Sequence, residues 1–212
     1  MTLTQIPTEQ TTAATDLLIS AFAIASAVYL RKNGPRGLRG RLWRSVFLIL
    51  AVAAFLGAVV HGLVLGSTAY TVLWWGTYLA LSLLIAAFFL AAIRDLYGDE
   101  KALLLLPTAV IVALGFFTYF AMAPEDFLPF IFYEAAVMFF SLTTYSLLTW
   151  RQVLPGSVWI AASITVNSIA AAIQAGGSIS FTLIWPFDHN GTFHLVQIIG
   201  MALLVQGLRS HR

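Results

Sequence analysis

The chain contains no cysteine, and charged residues make up only 9% of its 212 residues. The lack of cysteine excludes disulfide bonds, thiolate catalysis and zinc sites built on thiolates. A soluble domain carries about 25% charged residues, so this chain has too few to keep its apolar surface in water. Hydrophobic residues account for 60% of the chain, which is typical of a protein that dissolves in the hydrocarbon of a bilayer.

Seven separate apolar segments approach the length of roughly 20 residues that a helix needs to cross a membrane. No stretch between them resembles a domain linker, so residues 1–212 are expected to form one all-α domain, a seven-transmembrane helix bundle. The first 16 residues are polar and acidic, unlike a signal peptide, so helix 1 is expected to stay in the mature protein, capped by Thr15 or Asp16. The predicted helices are 16–30, 45–65, 70–93, 102–122, 127–150, 157–178 and 191–208.

The positions of the basic residues predict the orientation. Cytoplasmic loops carry an excess of Lys and Arg, and in a seven-helix arrangement all 11 basic residues fall on one side. The N-terminus is therefore expected outside and the C-terminus in the cytoplasm, in what we expect to be a bacterial inner (plasma) membrane. These residues are Arg31, Lys32, Arg36, Arg39, Arg41, Arg44, Arg94, Lys101, Arg151, Arg209 and Arg212.

Polar residues from five predicted helices gather in the outer half of the bundle. A polar or charged side chain within the hydrocarbon is costly, so it usually has a partner or a function. Glu134 is the one acid that the predicted boundaries place deep within a helix, and His211 is the one histidine outside the group, in the cytoplasmic tail. The gathered residues are Asp16, His61, Glu134, Asn167, Gln174, Asn190, His194 and Gln197, with Asp188 and His189 just before helix 7.

The three outer histidines predict a zinc site. Neutral imidazole is a good zinc ligand, and three protein ligands with an open fourth position make a catalytic centre. His61, His189 and His194 would supply the nitrogens, with His189 reaching back from the turn before helix 7. Further ligands or a general base would come from Asp16, Glu134 or Asp188. The alternative is structural: each histidine bonds across helices, and residues 188–191 form only a turn and helix cap.

In outline the chain resembles the CREST superfamily, which covers alkaline ceramidases, progestin and adiponectin receptors and Per1-type proteins. Members carry Ser-x-x-x-His in helix 2, Asp in helix 3 and His-x-x-x-His in helix 7, which together hold zinc. His61 and His194 match two of these histidines. Gly57 stands where the serine would be, and Asn190 stands where the first helix-7 histidine would be. Helix 3 has no Asp at its outer end. Residues 8–16 and 189–197 are also similar to an uncharacterised bacterial seven-helix group.

The sequence leaves several functions open. The first is an intramembrane zinc-dependent hydrolase of a lipid amide or ester, with His61, His189 and His194 as ligands and Glu134 or Asp188 as base. The second is a non-enzymatic receptor, small-molecule transporter or structural subunit of a larger membrane complex. The third is haem ligation by His61 and His194. A retinal protein is excluded because both lysines lie in predicted cytoplasmic loops, and membrane lipid rather than nucleic acid is the expected partner.

Overall fold

The computed structural model describes residues 2–123 and 128–209, and these residues form seven α-helices. All seven are long and apolar enough to cross a membrane, which confirms the helix count predicted from the sequence. The predicted start of helix 5 at Phe127, and the tail residues His211 and Arg212, lie outside the described residues. The helices are α1 (Pro7–Asn33), α2 (Gly37–Gly62), α3 (Ser67–Tyr97), α4 (Asp99–Met122), α5 (Leu128–Trp150), α6 (Ser157–Gly176) and α7 (His189–Arg209).

Two short pairs of antiparallel strands accompany the helices. Strand β1 (Thr2–Leu3) pairs with β2 (Leu63–Val64), and the amide of Thr4 donates to the carbonyl of Gly62 at 2.9 Å. This pairing fixes the N-terminus beside the end of α2. Strand β3 (Phe181–Thr182) pairs with β4 (Pro186–Phe187) in the connection between α6 and α7.

Helix α1 begins at Pro7, well before the start at Asp16 that the sequence predicted. Proline is well suited to the first turn of a helix, where its missing N–H removes no hydrogen bond. The hydroxyls of Thr11 and Thr15 donate to the carbonyls of Pro7 and Thr11, both at 3.0 Å, so this polar turn also satisfies its own side chains. Asp16 is therefore a buried residue inside α1, and the prediction that it or Thr15 caps the helix was wrong.

Two other helix starts differ from prediction. Helix α2 begins at Gly37, so Arg39 and Arg44 are helical rather than part of a loop. Helix α7 begins at His189, which was expected in the preceding turn. The carboxylate of Asp188 accepts the amide of Gly191 at 2.9 Å and satisfies one of the free N–H groups of the first turn.

The bundle closes because α1 packs against both α2 and α7. Neighbouring helices along the chain also pack together, and α5 packs on α3 as well as on α6. Between α4 and α5 the contact is aromatic, with the rings of Phe116 and Tyr133 stacked at 4.3 Å between their centres. The buried core lies along α1, α2, α3, α5, α6 and α7 and includes Trp43, Phe47 and Tyr145. Connections between successive helices are short, so the helices alternate in direction. We call the end that holds the start of α1 the histidine end, and the opposite end the arginine end.

A buried ion-pair network joins three helices at the arginine end. The carboxylate of Asp95 on α3 accepts the Nε–H of Arg39 on α2 at 2.7 Å and the hydroxyl of Tyr145 on α5 at 3.0 Å. Arg94 adds a third contact at 3.3 Å and pairs with Asp99 at 2.7 Å. The side chain of Asp95 is fully buried. The count of basic residues used Arg39 only to predict the orientation of the chain. No residue pattern indicated that Asp95 is its partner.

Candidate functional site

The polar residues predicted to gather do surround one cavity at the histidine end. We call it the site cavity; its volume is about 150 Å³, and it lies between α1, α2, α3, α5, α6 and α7. Three members of the predicted group lie outside this cavity: Asn167 lines a neighbouring cavity, and Asp188 and His189 are described below. The polar residues that line the site cavity are Asp16, His61, Thr77, Glu134, Gln174, Asn190, His194 and Gln197.

His194 is held at both ring nitrogens by residues of α1. Its Nδ1 lies 2.8 Å from the hydroxyl of Thr15, and its Nε2 lies 3.3 Å from Oδ1 of Asp16. All three residues are buried, with His194 only 7% exposed and Asp16 only 6%. The first separation is that of a good hydrogen bond, whereas the second is long for one.

The surroundings of Thr15 indicate which nitrogen of His194 carries the proton. The hydroxyl of Thr15 lies 3.0 and 2.9 Å from the carbonyls of Thr11 and Thr12, where it donates its single hydrogen. In that arrangement it accepts from Nδ1–H of His194, and the lone pair of Nε2 faces the carboxylate of Asp16. In this tautomer the two acceptors are stable together only with a proton or cation between them; in the other tautomer Nε2–H points at Asp16 instead.

His61 is also held at Nδ1 by a residue of α1. Its Nδ1 lies 2.6 Å from Oε2 of Glu9, and its ring edge contacts Trp74, with the two ring centres 5.7 Å apart. Nε2 of His61 has no hydrogen-bond partner among residues 2–123 and 128–209. Both histidines of the site thus have Nδ1 engaged by an oxygen from α1.

Asp16 occupies space that α2 leaves open at Gly57. A Cβ at position 57 would lie 2.8 Å from Oδ2 of Asp16, so any larger residue would push the carboxylate away. A carboxylate oxygen from α1 therefore fills the space beside α2 at this position.

Glu134 stands at the junction of three cavities. It lines the site cavity, a central cavity of about 90 Å³ and a larger cavity of about 650 Å³ between α5, α6 and α7, which we call the lateral cavity. The sequence predicted that its carboxyl faces the interior and has a polar partner. The first expectation is met, because Glu134 lines interior cavities. The second was wrong: within the part of the chain that the structure describes, its carboxyl has no hydrogen-bond or ion-pair partner.

Two of the predicted site residues lie outside the site cavity. His189 lines the lateral cavity together with Gln174 and Asn190, which also border the site cavity. Asp188 caps α7, and its Oδ1 also accepts the hydroxyl of Thr12 at 3.3 Å. The structure therefore brings His61 and His194 together with Asp16, places His189 next door, and gives Asp188 a structural contact.

Metal-holding geometry is only partly formed. Over residues 2–123 and 128–209, no group of three or more His, Asp or Glu side chains is arranged to hold a metal ion. Nε2 of His194 and Oδ1 of Asp16 lie 3.3 Å apart, whereas Nδ1 of His61 is engaged by Oε2 of Glu9 at 2.6 Å.

No sequence pattern singled out Glu9, and Thr15 was considered only as a helix cap, although these two residues of α1 hold the two histidines. Glu9, Thr12 and Asp16 are three and four residues apart, which is the spacing of one helix face. Reading that periodicity through the polar N-terminal segment would have extended α1 and placed Glu9 on the same side as Asp16. Thr15 lies beside them, one residue before Asp16.

Seven helices long and apolar enough to cross a membrane, six of which line one cavity, indicate an integral membrane protein with a candidate ligand or metal site at one end. The chain belongs to the DUF6962 family, a family of unknown function, which matches residues 11–212. No curated protein and no solved structure matches the chain.

Proposed function

We propose that this protein is an integral membrane hydrolase that uses zinc to cleave a lipid amide or ester. His61, His194 and Asp16 would hold the ion, and Glu134 would act as general base. The observation that carries the proposal is the anchoring of both imidazoles at Nδ1, by Glu9 and Thr15. Histidines that bind zinc commonly have their other ring nitrogen held by an oxygen in this way.

The separation of Asp16 and His194 also fits zinc. With bonds of about 2.0–2.1 Å, two ligand atoms of a tetrahedral zinc ion lie about 3.3 Å apart. Nε2 of His194 and Oδ1 of Asp16 are 3.3 Å apart. The site cavity of about 150 Å³ suits an ion better than a haem, because sites for larger ligands measure roughly 300–1,000 Å³. Zinc held there would polarise a carbonyl and activate water.

A lipid substrate is supported by the lateral cavity. Its volume of about 650 Å³ falls in the range of small-molecule sites, and its walls are mainly Ala, Met, Leu and Phe side chains of α5 and α6. Phe139 on its rim is 74% exposed, so the cavity opens on the outer surface of the bundle. An acyl chain lying there would place its polar end beside Glu134, Gln174 and Asn190, where Gln174 and Asn190 are 3.4 Å apart.

Glu134 is the residue placed to move the proton. In the proposed reaction the oxygen of water bonds to the carbonyl carbon of the lipid, and Glu134 takes the proton that water loses. The carbon–oxygen or carbon–nitrogen bond then breaks, and Glu134 returns the proton to the departing alcohol or amine. Asn190 and Gln174 would hold the head of the substrate, and the apolar walls would keep out bulk water.

We also propose the orientation, from the distribution of basic residues. All 11 lie in or beside segments at the arginine end or in the C-terminal tail, which would place that end in the cytoplasm of a bacterial inner membrane. The proposed site would then face the outer leaflet.

Hydrolysis by purified protein tests the proposal. The substrates are an acyl ester and an acyl amide of a fluorescent coumarin, supplied in mixed micelles with zinc. Wild-type protein should release the coumarin, Glu134→Gln should lower the rate about 100-fold or more, and Glu100→Gln at the exposed start of α4 should leave it unchanged. The proposed hydrolase activity would be overturned if folded, zinc-loaded protein hydrolysed neither substrate. It would also be overturned if Glu134→Gln and the wild type had equal rates.

The second candidate is a non-enzymatic membrane protein that binds a small ligand in the same cavities, as a receptor, transporter or subunit of a complex. It is favoured by the absence, within the described ranges, of three acidic or histidine side chains arranged for a metal. Binding of a coumarin-labelled lipid without cleavage, unaffected by a zinc chelator, would select this candidate.

A further inference from the structure

The hairpin between α6 and α7 has an exposed apolar tip. Strands β3 and β4 bring the chain back on itself, and the three residues between them are all strongly exposed. Leu183 is 78% exposed, Ile184 76% and Trp185 63%. Three adjacent large apolar side chains in contact with water would be unfavourable, so the tip needs a covering surface.

The base of the hairpin is fixed to the bundle. The rings of Phe181 and Phe187 stack with centres 5.0 Å apart, and Phe187 is only 9% exposed. A Cβ at Gly191 would lie 3.1 Å from Phe187, so the hairpin packs closely on the start of α7. Asp188, which follows Phe187 in the chain, accepts a hydrogen bond from Thr12 of α1. The position of the tip is therefore coupled to the first turn of α7, which borders both the site and lateral cavities.

Charge and length both favour lipid as the covering surface. No charged residue occurs from 152 to 187, whereas a loop in water usually carries some. Helix α6 has 20 residues and so measures about 30 Å, the thickness of the hydrocarbon core. The chain that follows it therefore starts at the membrane surface, continuous with the exposed apolar face of α6 that includes Ile169.

The backbone of the tip also suits an interface. Polar main-chain groups must be satisfied internally where water is scarce. The amide of Leu183 donates to the carbonyl of Trp185 at 3.2 Å, and Pro186 has no N–H to satisfy. Trp is enriched at the level of the lipid headgroups, where its ring is apolar and its N–H meets water.

We infer that the tip Leu183–Trp185 inserts into the headgroup region of the leaflet at the histidine end and anchors the start of α7 there. The occupant of this surface is the lipid bilayer itself. The inference needs neither zinc nor hydrolysis, so it stands or fails separately from the proposed function.

Single-cysteine labelling tests this inference, because the chain has no cysteine of its own. Leu183→Cys and, as control, the exposed Gln5→Cys near the same end are labelled with an environment-sensitive fluorophore and reconstituted in nanodiscs of phosphatidylcholine and phosphatidylglycerol. The probe at 183 should emit at shorter wavelength than the probe at 5. It should also be quenched at least about twofold more by lipids that carry a spin label just below the headgroup.

Two results would overturn the inference. Water-like emission at 183 with quenching equal to that at 5 would mean that the tip lies in water. A short-wavelength emission that spin-labelled lipid does not quench would mean that protein, such as a second copy of the chain, covers the tip instead.

Discussion

The carboxylate of Asp16 on α1 lies against the backbone of Gly57 on α2, where a Cβ would come within 2.8 Å of Oδ2. This contact places the carboxylate beside Nε2 of His194. The proposed metal site therefore depends on the absence of a side chain at position 57.

Gly57→Ala should displace Asp16 and weaken metal binding. The added methyl group meets the carboxylate rather than a flexible apolar side chain, so the displacement falls on the proposed ligand. Zinc affinity measured by competition with a chelator should fall at least about tenfold. Gly115→Ala on α4 is the control, because a Cβ there meets nothing within 4 Å. Equal zinc affinity in both variants would contradict the assignment of Asp16 as ligand.

Thr15→Val should weaken the site through His194, whereas Thr15→Ser should not. Valine has nearly the same shape as threonine but offers no oxygen to Nδ1 of His194, which would be left buried without a partner. Such a loss costs about 1–3 kcal/mol of unfolding free energy. Zinc affinity and thermal unfolding in detergent measure the two effects. If Thr15→Ser behaves like Thr15→Val, the hydroxyl has no role in holding the ring.

Asp95→Ala should destabilise the arginine end strongly. It would leave Arg39 buried without its carboxylate and remove the acceptor of Tyr145. Loss of one partner of a buried ion pair costs about 3–5 kcal/mol. Asp99→Ala is the control, because Asp99 is half exposed and its pair with Arg94 contributes about 0–1 kcal/mol. Equilibrium unfolding in SDS measures the free energy of unfolding of both variants. Similar losses of this free energy for the two would show that burial of Asp95 does not contribute to stability.

Labelling of intact cells should reveal the orientation. With an impermeant thiol reagent, Gln5→Cys at the histidine end should react, and the exposed Arg36→Cys at the arginine end should react only after lysis. The reverse pattern would invert the proposed orientation and move the site to the cytoplasmic side.

The helices and the gathering of polar residues could be predicted because both follow from hydropathy along the chain. Seven apolar segments determine seven helices, and alternating direction brings His61, Glu134 and His194 to one end. The extent of α1 could not be predicted in that way, because its first turns are polar and owe their burial to packing against α2 and α7. The Arg39–Asp95 pair was missed for a related reason: a charge count treats each arginine alike, and only the packing of α2 on α3 distinguishes a buried one.

The zinc content of purified protein, prepared without a histidine tag and measured by mass spectrometry, tests the central claim most directly. The wild type should hold about one zinc ion per chain, because a single set of three protein ligands binds one ion. His61→Ala, His194→Ala and Asp16→Asn should each lose it, whereas Asp99→Asn should keep it. His189→Ala should also keep it, since His189 lines the lateral cavity rather than the site cavity. A folded wild type without zinc after dialysis against the metal, or zinc that survives all three ligand substitutions, would contradict the account.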